Sequence, residues 1–262
     1  MKKIAVTAGK SIAAIAFWVA VWFIIAKIID VELIVPTPFA VWRALCEIIV
    51  TEEFWISCAM SFLRVLFGIG ISFIVGCGIA YLTWRSKILN SLLSPLLSII
   101  KATPVASFII IAWIWFDTSL LPIFIASLIV IPIITSNVLQ GISSVDKDLK
   151  EVAKIYRFSV FKRLFRLYIP SIAPYFLAAC RSSLGMAWKA SVAAEMIVLS
   201  QNSIGKEIYN TKLYSMEAAP VFAWTIVVII LSIVIEKLLL LSLNAIGRAA
   251  KILPKGEKYA EN

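Results

Sequence analysis

The chain has 262 residues, of which 61% are hydrophobic and only 15% are charged, and its net charge is +10. A soluble domain of this length exposes too much surface to be so apolar, so the composition indicates an integral membrane protein. The apolar runs are continuous rather than alternating, which favours helices over a β-barrel. The excess of Lys and Arg is typical of the cytoplasmic loops of such proteins and does not require a nucleic-acid partner. His is absent, which removes the commonest general base and metal ligand.

The N-terminal unit, residues 1–34, is predicted to contain the first membrane helix. Three lysines, Lys2, Lys3 and Lys10, precede the apolar run 11–29 and place the amino terminus in the cytoplasm. Residues 35–61 are predicted to form an external segment because they are acidic. The segment opens with VPTPFAV, whose two prolines predict an extended entry.

A transmembrane domain is predicted over residues 58–243, with five further spans at about 62–84, 93–116, 120–140, 172–199 and 221–241. The first of these is rich in glycine (Gly68, Gly70, Gly76 and Gly78), which allows close helix packing. Ser94-Pro95 and Thr103-Pro104 interrupt the next, so we expect one broken helix there.

The distribution of basic residues predicts the orientation. Residues 144–170 contain seven Lys and Arg, whereas the predicted external segments contain three in all, Arg43, Lys206 and Lys212. Cytoplasmic loops collect the basic residues. The fold class is therefore an all-α polytopic membrane protein with six transmembrane helices and both termini cytoplasmic, ending in a cytoplasmic tail at 244–262.

The cytoplasmic loop between spans four and five has two amphipathic patterns. Leu149, Val152, Ala153 and Tyr156 share one face of a first helix. A second pattern, Phe161, Leu164, Phe165 and Tyr168, follows Ser159, which is placed to cap it. Two short helices are expected. The residues alone leave two interpretations open: a helix pair lying on anionic lipid, or an element that docks another protein.

This loop resembles the cytoplasmic motif of permease subunits of bacterial ATP-binding-cassette importers. That motif reads Glu-Ala-Ala, three residues, Gly, nine residues, then Ile-x-Leu-Pro. The chain has Glu151-Val152-Ala153, then Arg157 in place of the Gly, then Leu167-Tyr168-Ile169-Pro170. If the family Gly has a positive φ, Arg157 strains the turn.

Four other stretches are similar to the nitrate, sulfonate and taurine branch of these permeases. They are PTPFAVW (36–42), SFLRVLFGIG (61–70), SVAAEM (191–196) and the Ser-Ile-Gly at 203–205. The resemblance extends over about residues 35–245.

The resemblance implies a permease subunit that is not itself an enzyme. It implies three protein partners: a second permease subunit, expected to be an identical copy; an ATP-binding subunit; and an external substrate-binding protein. In this family the first short helix of the loop, the coupling helix, docks on the ATP-binding subunit. Membrane lipid surrounds the assembly. The coupling residues it implies are Leu149, Glu151, Val152, Ala153, Tyr156 and Arg157. The chain has no phosphate-binding Gly-rich loop followed by Lys, so it is expected to bind no cofactor, and ATP is used by the partner.

Span five carries three charges that are costly in a membrane, Arg181, Lys189 and Glu195. Arg181 and Glu195 share nearly one face but lie roughly 21 Å apart along the helix. Lys189 lies near the midplane. Each charge either finds a polar partner on another helix or lines a transport pathway.

The solute implied is small, polar and anionic, such as nitrate, a sulfonate or taurine. The alternatives are an organic solute such as a thiamine precursor, or an ion-coupled secondary transporter. Ion coupling usually needs acids deep in the bundle, and Glu195 and Glu236 are the only acids in spans five and six.

Overall fold

The computed structural model describes residues 2–214 and 217–249, and these residues form helices and connecting turns without a strand. The helices are α1 (Lys2–Ile29), α2 (Pro38–Ile49), α3 (Glu52–Arg85), α4 (Lys87–Ala102), α5 (Val105–Ala112), α6 (Leu121–Ser143), α7 (Lys147–Ile155), α8 (Val160–Arg163), α9 (Ile169–Val198), α10 (Ile204–Tyr214) and α11 (Ala218–Ala249). A π-helical turn, Leu164–Tyr168, joins α8 to α9.

The centre of the fold is α6, which lies between α3 and α9 and packs against both. Small residues set the spacing to α3: a Cβ added to Gly68 would lie 2.8 Å from Ala126 Cβ. Gly76 is equally close to Ile134, whereas Gly70 and Gly78 have open space, so only half of the predicted glycine contacts form within the protomer.

Hydroxyl groups add hydrogen bonds between these helices. Ser127 Oγ donates to the Gly68 carbonyl at 3.0 Å, and Thr135 Oγ1 donates to the Gly76 carbonyl at 3.2 Å. Such bonds are available because the glycines let the backbones approach. The close contact and the polar bonds together fix the register of α3 against α6.

The expected extended entry at VPTPFAV is wrong, because most of it begins a helix. Thr37 Oγ1 accepts a hydrogen bond from the Ala40 amide at 3.2 Å, and Pro38 occupies the first turn of α2. A threonine cap followed by proline is a helix start signal. Thr51 caps α3 in the same way, so α3 begins ten residues before the predicted span.

The broken helix predicted for span three is present as α4 and α5, which meet at 105°. The break occurs at Thr103-Pro104, while Pro95 lies inside α4. No residue of α4 is buried in the protomer. One side of this helix packs half-buried against α3 and α6, and its other side is exposed.

By length and composition, α3, α6 and residues Ala218–Leu243 of α11 can cross a membrane, and the α4–α5 pair makes a fourth span if its two parts cross together. The apolar part of α1, Ala13–Ile29, is shorter than these. The charges Arg181, Lys189 and Glu195 make α9 less hydrophobic than the others. The segment between the predicted spans 172–199 and 221–241 contains a helix, α10, that was not predicted from the sequence. Most of the predicted tail, 250–262, lies outside the described residues.

Candidate functional site

The first candidate site is α7, which projects from the loop between α6 and α9. Asp146 caps the helix by accepting a hydrogen bond from the Asp148 amide at 2.9 Å. Leu149, Val152 and Tyr156 are all exposed, although each is apolar or aromatic. Glu151 is exposed as well. The helix thus presents a largely apolar surface outside the protomer, and we call Leu149, Val152, Ile155 and Tyr156 the α7 face.

Ala153 does not belong to this face, which corrects the prediction that it contacts a docked partner. It is only 2% exposed and packs in a small core with Val145 and Leu167, flanked by Phe158 and Tyr168. The helical period places residues 149, 152, 153 and 156 within one broad arc, but the protomer covers one edge of that arc. Ala153 therefore holds α7 to its own subunit.

Arg157 has a φ of +46°, in the left-handed region. The Phe158 amide donates to the Ala153 carbonyl at 2.9 Å, and the Arg157 amide donates to the Lys154 carbonyl at 3.0 Å. These two bonds form the Schellman motif that ends many helices, in which glycine usually occupies this position. The strain expected for Arg157 is thus located at the end of α7.

The second amphipathic pattern does not form a separate helix, contrary to expectation. Ser159 Oγ accepts a hydrogen bond from the Lys162 amide at 3.3 Å, as predicted. The helix that Ser159 caps, α8, then continues through the π turn directly into α9, with no loop between them. Phe161 and Phe165 remain exposed on this segment.

The charges of α9 separate into two groups. Lys189 is exposed and Arg181 is half-buried, and neither forms an ion pair with any other residue that the structure describes. Lys189 shares an exposed face of α9 with Met186 and Met196. This face is open in the single protomer.

Glu195 lies inside the protomer and is 0% exposed, so the pathway role that the sequence allowed it does not fit its position. Its carboxylate accepts hydrogen bonds from Arg64 Nη1 at 3.1 Å and from Ser61 Oγ at 2.8 Å. A buried carboxylate requires such partners, because an unpaired charge is costly in a low dielectric.

Arg64 also holds the chain that follows α9. Its Nη2 donates to the Gln201 carbonyl at 2.7 Å, and its Nη1 donates to the Asn202 carbonyl at 3.3 Å. The Gly205 amide completes the group by donating to Glu195 Oε2 at 3.4 Å. We call Ser61, Arg64, Glu195 and the backbone of residues 201–205 the Arg64 cluster.

Arg64 was not among the predicted site residues, although the sequence contained a signal for it. A lone acid in an apolar span requires a cation on another helix, and Arg64 is the cation in the predicted second span. The Arg64 cluster joins three of the stretches that carried the family resemblance, 61–70, 191–196 and 203–205. These stretches are distant in sequence and form one buried site.

Sequence comparison finds named relatives among bacterial permeases. The chain is 28% identical over 158 residues to the bicarbonate transport system permease protein CmpB of Synechococcus elongatus. These residues cover 60% of this chain and 56% of that protein. It is 28% identical over 212 residues to the putative aliphatic sulfonates transport permease protein SsuC of Bacillus subtilis, covering 80% and 76%. It is 26% identical over 197 residues to the nitrate import permease protein NrtB of S. elongatus, covering 71% and 70%. The chain thus matches just over half the length of the bicarbonate permease.

Solved structures share the fold. A chain of an amino acid ABC transporter crystallised with histidines has a TM-score of 0.61 at 15% identity, covering 78% of this chain and 97% of that chain. A chain of a bacterial ABC transporter involved in the import of the acidic polysaccharide alginate has a TM-score of 0.60 at 18% identity, covering 94% and 97%.

One family of known proteins matches a part of the chain that contains both α7 and the exposed face of α9. Residues 68–242 match the family described as "Binding-protein-dependent transport system inner membrane component". The match covers more than half of the chain and includes α6, α7 and α9. The chain belongs to this family of inner membrane transport components.

Proposed function

We propose that this chain is the permease subunit of an ATP-driven importer and forms part of the pathway for a small anionic solute, such as nitrate, a sulfonate or taurine. The observation that carries the proposal is the α7 face. A short helix that is capped at its start and anchored to its own subunit by one buried side chain, with an exposed apolar surface, suits insertion into a groove of another protein.

In the proposed assembly, two copies of the chain pair around a central pathway. A separate subunit binds and hydrolyses ATP and receives the α7 face. A binding protein outside the membrane delivers the solute. One of the similar solved structures is an alginate transporter in complex with a ligand-bound periplasmic protein, which supports this arrangement.

The proposed orientation has six spans, with the α7 loop in the cytoplasm and α10 outside. It is supported by the basic residues of segment 144–170. A single cysteine at Gln201 in a cysteine-free background should react with an impermeant thiol reagent in intact cells, and one at Ser159 should not. We choose Gln201 rather than its neighbour Asn202, because Asn202 has a φ of +48° and a cysteine in that left-handed conformation would be strained. The reverse labelling would refute the orientation.

The docking role of the α7 face is tested by Val152→Asp. The substitution places a carboxylate in a contact that the proposal requires to be dry, and an unpaired carboxylate there costs more than the roughly 2–7 kcal/mol of a neutral polar group. Because Val152 is exposed in the protomer, the permease itself should remain folded. We expect the ATP-binding subunit to be lost from a detergent pull-down of the tagged permease.

Phe161→Asp is the matched control, because Phe161 is also an exposed apolar residue of this loop but lies outside α7. It should retain the ATP-binding subunit. If Val152→Asp retains as much of that subunit as the control, the α7 face is not the contact.

An anionic solute is favoured by the relatives, which are named for bicarbonate, aliphatic sulfonates and nitrate transport. A small anion loses hydration when it enters a narrow pathway, and a nearby cation offsets part of that loss. Lys189 fits this role because it is exposed on α9 and unpaired within the described residues. We therefore assign it to the pathway between the two copies.

Lys189→Met tests this assignment. The substitution keeps most of the side-chain length and removes the charge. Uptake of the anion should fall by at least about tenfold, the effect of removing roughly 1.4 kcal/mol of interaction. Retention of the ATP-binding subunit and the melting temperature should stay near wild type. Normal uptake would contradict the assignment, and so would lost uptake with a collapsed melting temperature, because Lys189 would then be a structural group.

A further inference from the structure

A large groove lies on the side of the protomer, away from the exposed face of α9. Its volume is about 810 Å³, within the range of cavities that hold whole small molecules. The end of α3, the end of α6, the start of α9 and residue Leu243 of α11 form its walls. The end of α6 and the start of α9 flank the loop that carries α7.

The inner part of the groove is apolar. Val138, Ile142, Ile172, Ala173 and Phe176 line it. Nothing in this part would hold a polar solute, since a buried polar group without a hydrogen-bond partner is unfavourable. The surface suits a hydrocarbon chain.

Two arginines line the same groove. Arg85 ends α3, and Arg163 ends α8. Both are exposed, and neither forms an ion pair with an acid in the part of the chain that the structure describes. Arg163 donates one hydrogen bond to the Phe158 carbonyl at 3.3 Å, which leaves most of its guanidinium donors available. Guanidinium groups with unused donors match an oxyanion such as a phosphate.

Along the chain, aromatic lining residues separate the apolar ones from the arginines: Tyr81 and Trp84 come before Arg85, and Tyr168 comes after Arg163. The rings of Trp84 and Tyr168 meet edge to face with their centroids 5.6 Å apart. The ring centroids of Tyr81 and Trp84 are 6.1 Å apart. Tyrosine and tryptophan are typical of the level where hydrocarbon meets the headgroups. The groove therefore changes from apolar to aromatic to cationic side chains, as a phospholipid changes from chain to phosphate.

We propose that this groove is a binding site for an anionic phospholipid, with its phosphate at Arg85 and Arg163 and an acyl chain along Ile172 and Phe176. Basic pockets between transmembrane helices at the cytoplasmic face are suited to anionic headgroups. The inference uses the proposed orientation to assign the lipid to the cytoplasmic leaflet, but it does not depend on ATP-driven transport.

A lipid in this groove would support the coupling loop. Leu164 and Tyr168, which line the groove, belong to the π turn between α8 and α9. Tyr168 also packs against the core that holds Ala153 of α7. The lipid would thus contact both α3 and the segment that connects α7 to α9.

The first test measures lipid retention by the permease, purified with its ATP-binding subunit if that subunit associates, using native mass spectrometry. The probes are phosphatidylglycerol and phosphatidylcholine. The double variant Arg85→Gln, Arg163→Gln should lower phosphatidylglycerol retention by about thirtyfold, because each basic residue near an anionic surface contributes about 1 kcal/mol. Phosphatidylcholine retention should fall less, because its choline group offsets the charge of its phosphate.

The control variant Lys87→Gln, Arg166→Gln removes the same charge from neighbouring exposed positions that do not line the groove. It should retain phosphatidylglycerol. Equal loss in both variants would mean a diffuse charge effect, and no loss in either would mean no site. Both outcomes would overturn the proposal.

The second test identifies the occupant in native membranes. A photoreactive benzoylphenylalanine at Ala173, inside the groove, should cross-link to phospholipid. A cross-link to a peptide of this chain, to a second copy or to another subunit would replace the lipid with a protein occupant and refute the proposal. Failure of the ATP-binding subunit to co-purify would instead bear on the proposed function and leave this readout intact.

Discussion

At the scale of single residues, the Arg64 cluster has the clearest physical logic. Glu195 could be recognised from sequence as a costly charge in an apolar helix. Its partner could not be located from that helix alone, because Arg64 lies 131 residues away in the chain. Only the packing of α3 and α9 in three dimensions brings the two together.

Arg64→Met should strongly destabilise the protein. It removes the cation from a carboxylate that is fully buried, and breaking a buried pair in this way costs about 3–5 kcal/mol. The double variant Arg64→Met, Glu195→Leu removes both charges and should melt at a higher temperature than Arg64→Met alone. Thermal unfolding of the purified variants measures both effects. If the double variant is as unstable as the sum of the two single variants, the pair is not energetically coupled.

Arg157 is a residue whose conformation the sequence did anticipate. The spacing of the coupling motif places it where the family has Gly, and the structure gives it a positive φ. The backbone of the turn follows from the Schellman bonds, which depend on the main chain rather than on the side chain.

At the scale of helices, periodicity found the amphipathic character of α7 but not its exact orientation. The side-chain pattern placed Ala153 on the same face as Leu149 and Val152. The protomer buries Ala153 instead, against Val145 and Leu167. A short helix with apolar residues on a broad arc can divide them between its own protein and a partner, and only tertiary contacts decide the division.

The contact between α9 and α10 depends on Gly205. A Cβ at this position would lie 2.4 Å from the Met196 amide nitrogen and 2.6 Å from Glu195 Cβ, so the backbone must move to admit it. Gly205→Ala should therefore lower stability by about 1–3 kcal/mol, as overpacking does. It should also expose residues 200–214 to limited proteolysis.

Gly70→Ala is the matched control, because a Cβ there meets nothing within 4 Å. It should leave the proteolysis pattern unchanged. It should also raise helix stability slightly, since alanine is favoured over glycine within helices by about 1 kcal/mol. If both variants behave alike, the close approach at Gly205 is not what positions α10.

At the scale of the whole molecule, hydropathy predicted the central helices well. The predicted fourth and fifth spans, 120–140 and 172–199, coincide with the helices α6 (Leu121–Ser143) and α9 (Ile169–Val198) within a few residues, but of these two only α6 is long and apolar enough to cross a membrane by length and composition. The loop helices α2 and α10 were missed because apolar runs do not indicate helices in polar segments. Cap signals such as Thr37-Pro38 do so better.

Several surfaces of the described protomer remain open. They are the α7 face, the exposed side of α9 and the side of α4 that faces away from α3 and α6. In the proposed assembly, these surfaces meet the ATP-binding subunit, the pathway and a second copy.

The most direct test of the central claim is solute uptake by the permease reconstituted in proteoliposomes with its ATP-binding subunit and binding protein. Nitrate, bicarbonate and an alkyl sulfonate are each supplied as the solute, with ionophores present to abolish ion gradients. We predict that one of these anions accumulates only when ATP is present, and that Val152→Asp abolishes the accumulation. Uptake that needs an ion gradient, and proceeds without the ATP-binding subunit, would contradict the account.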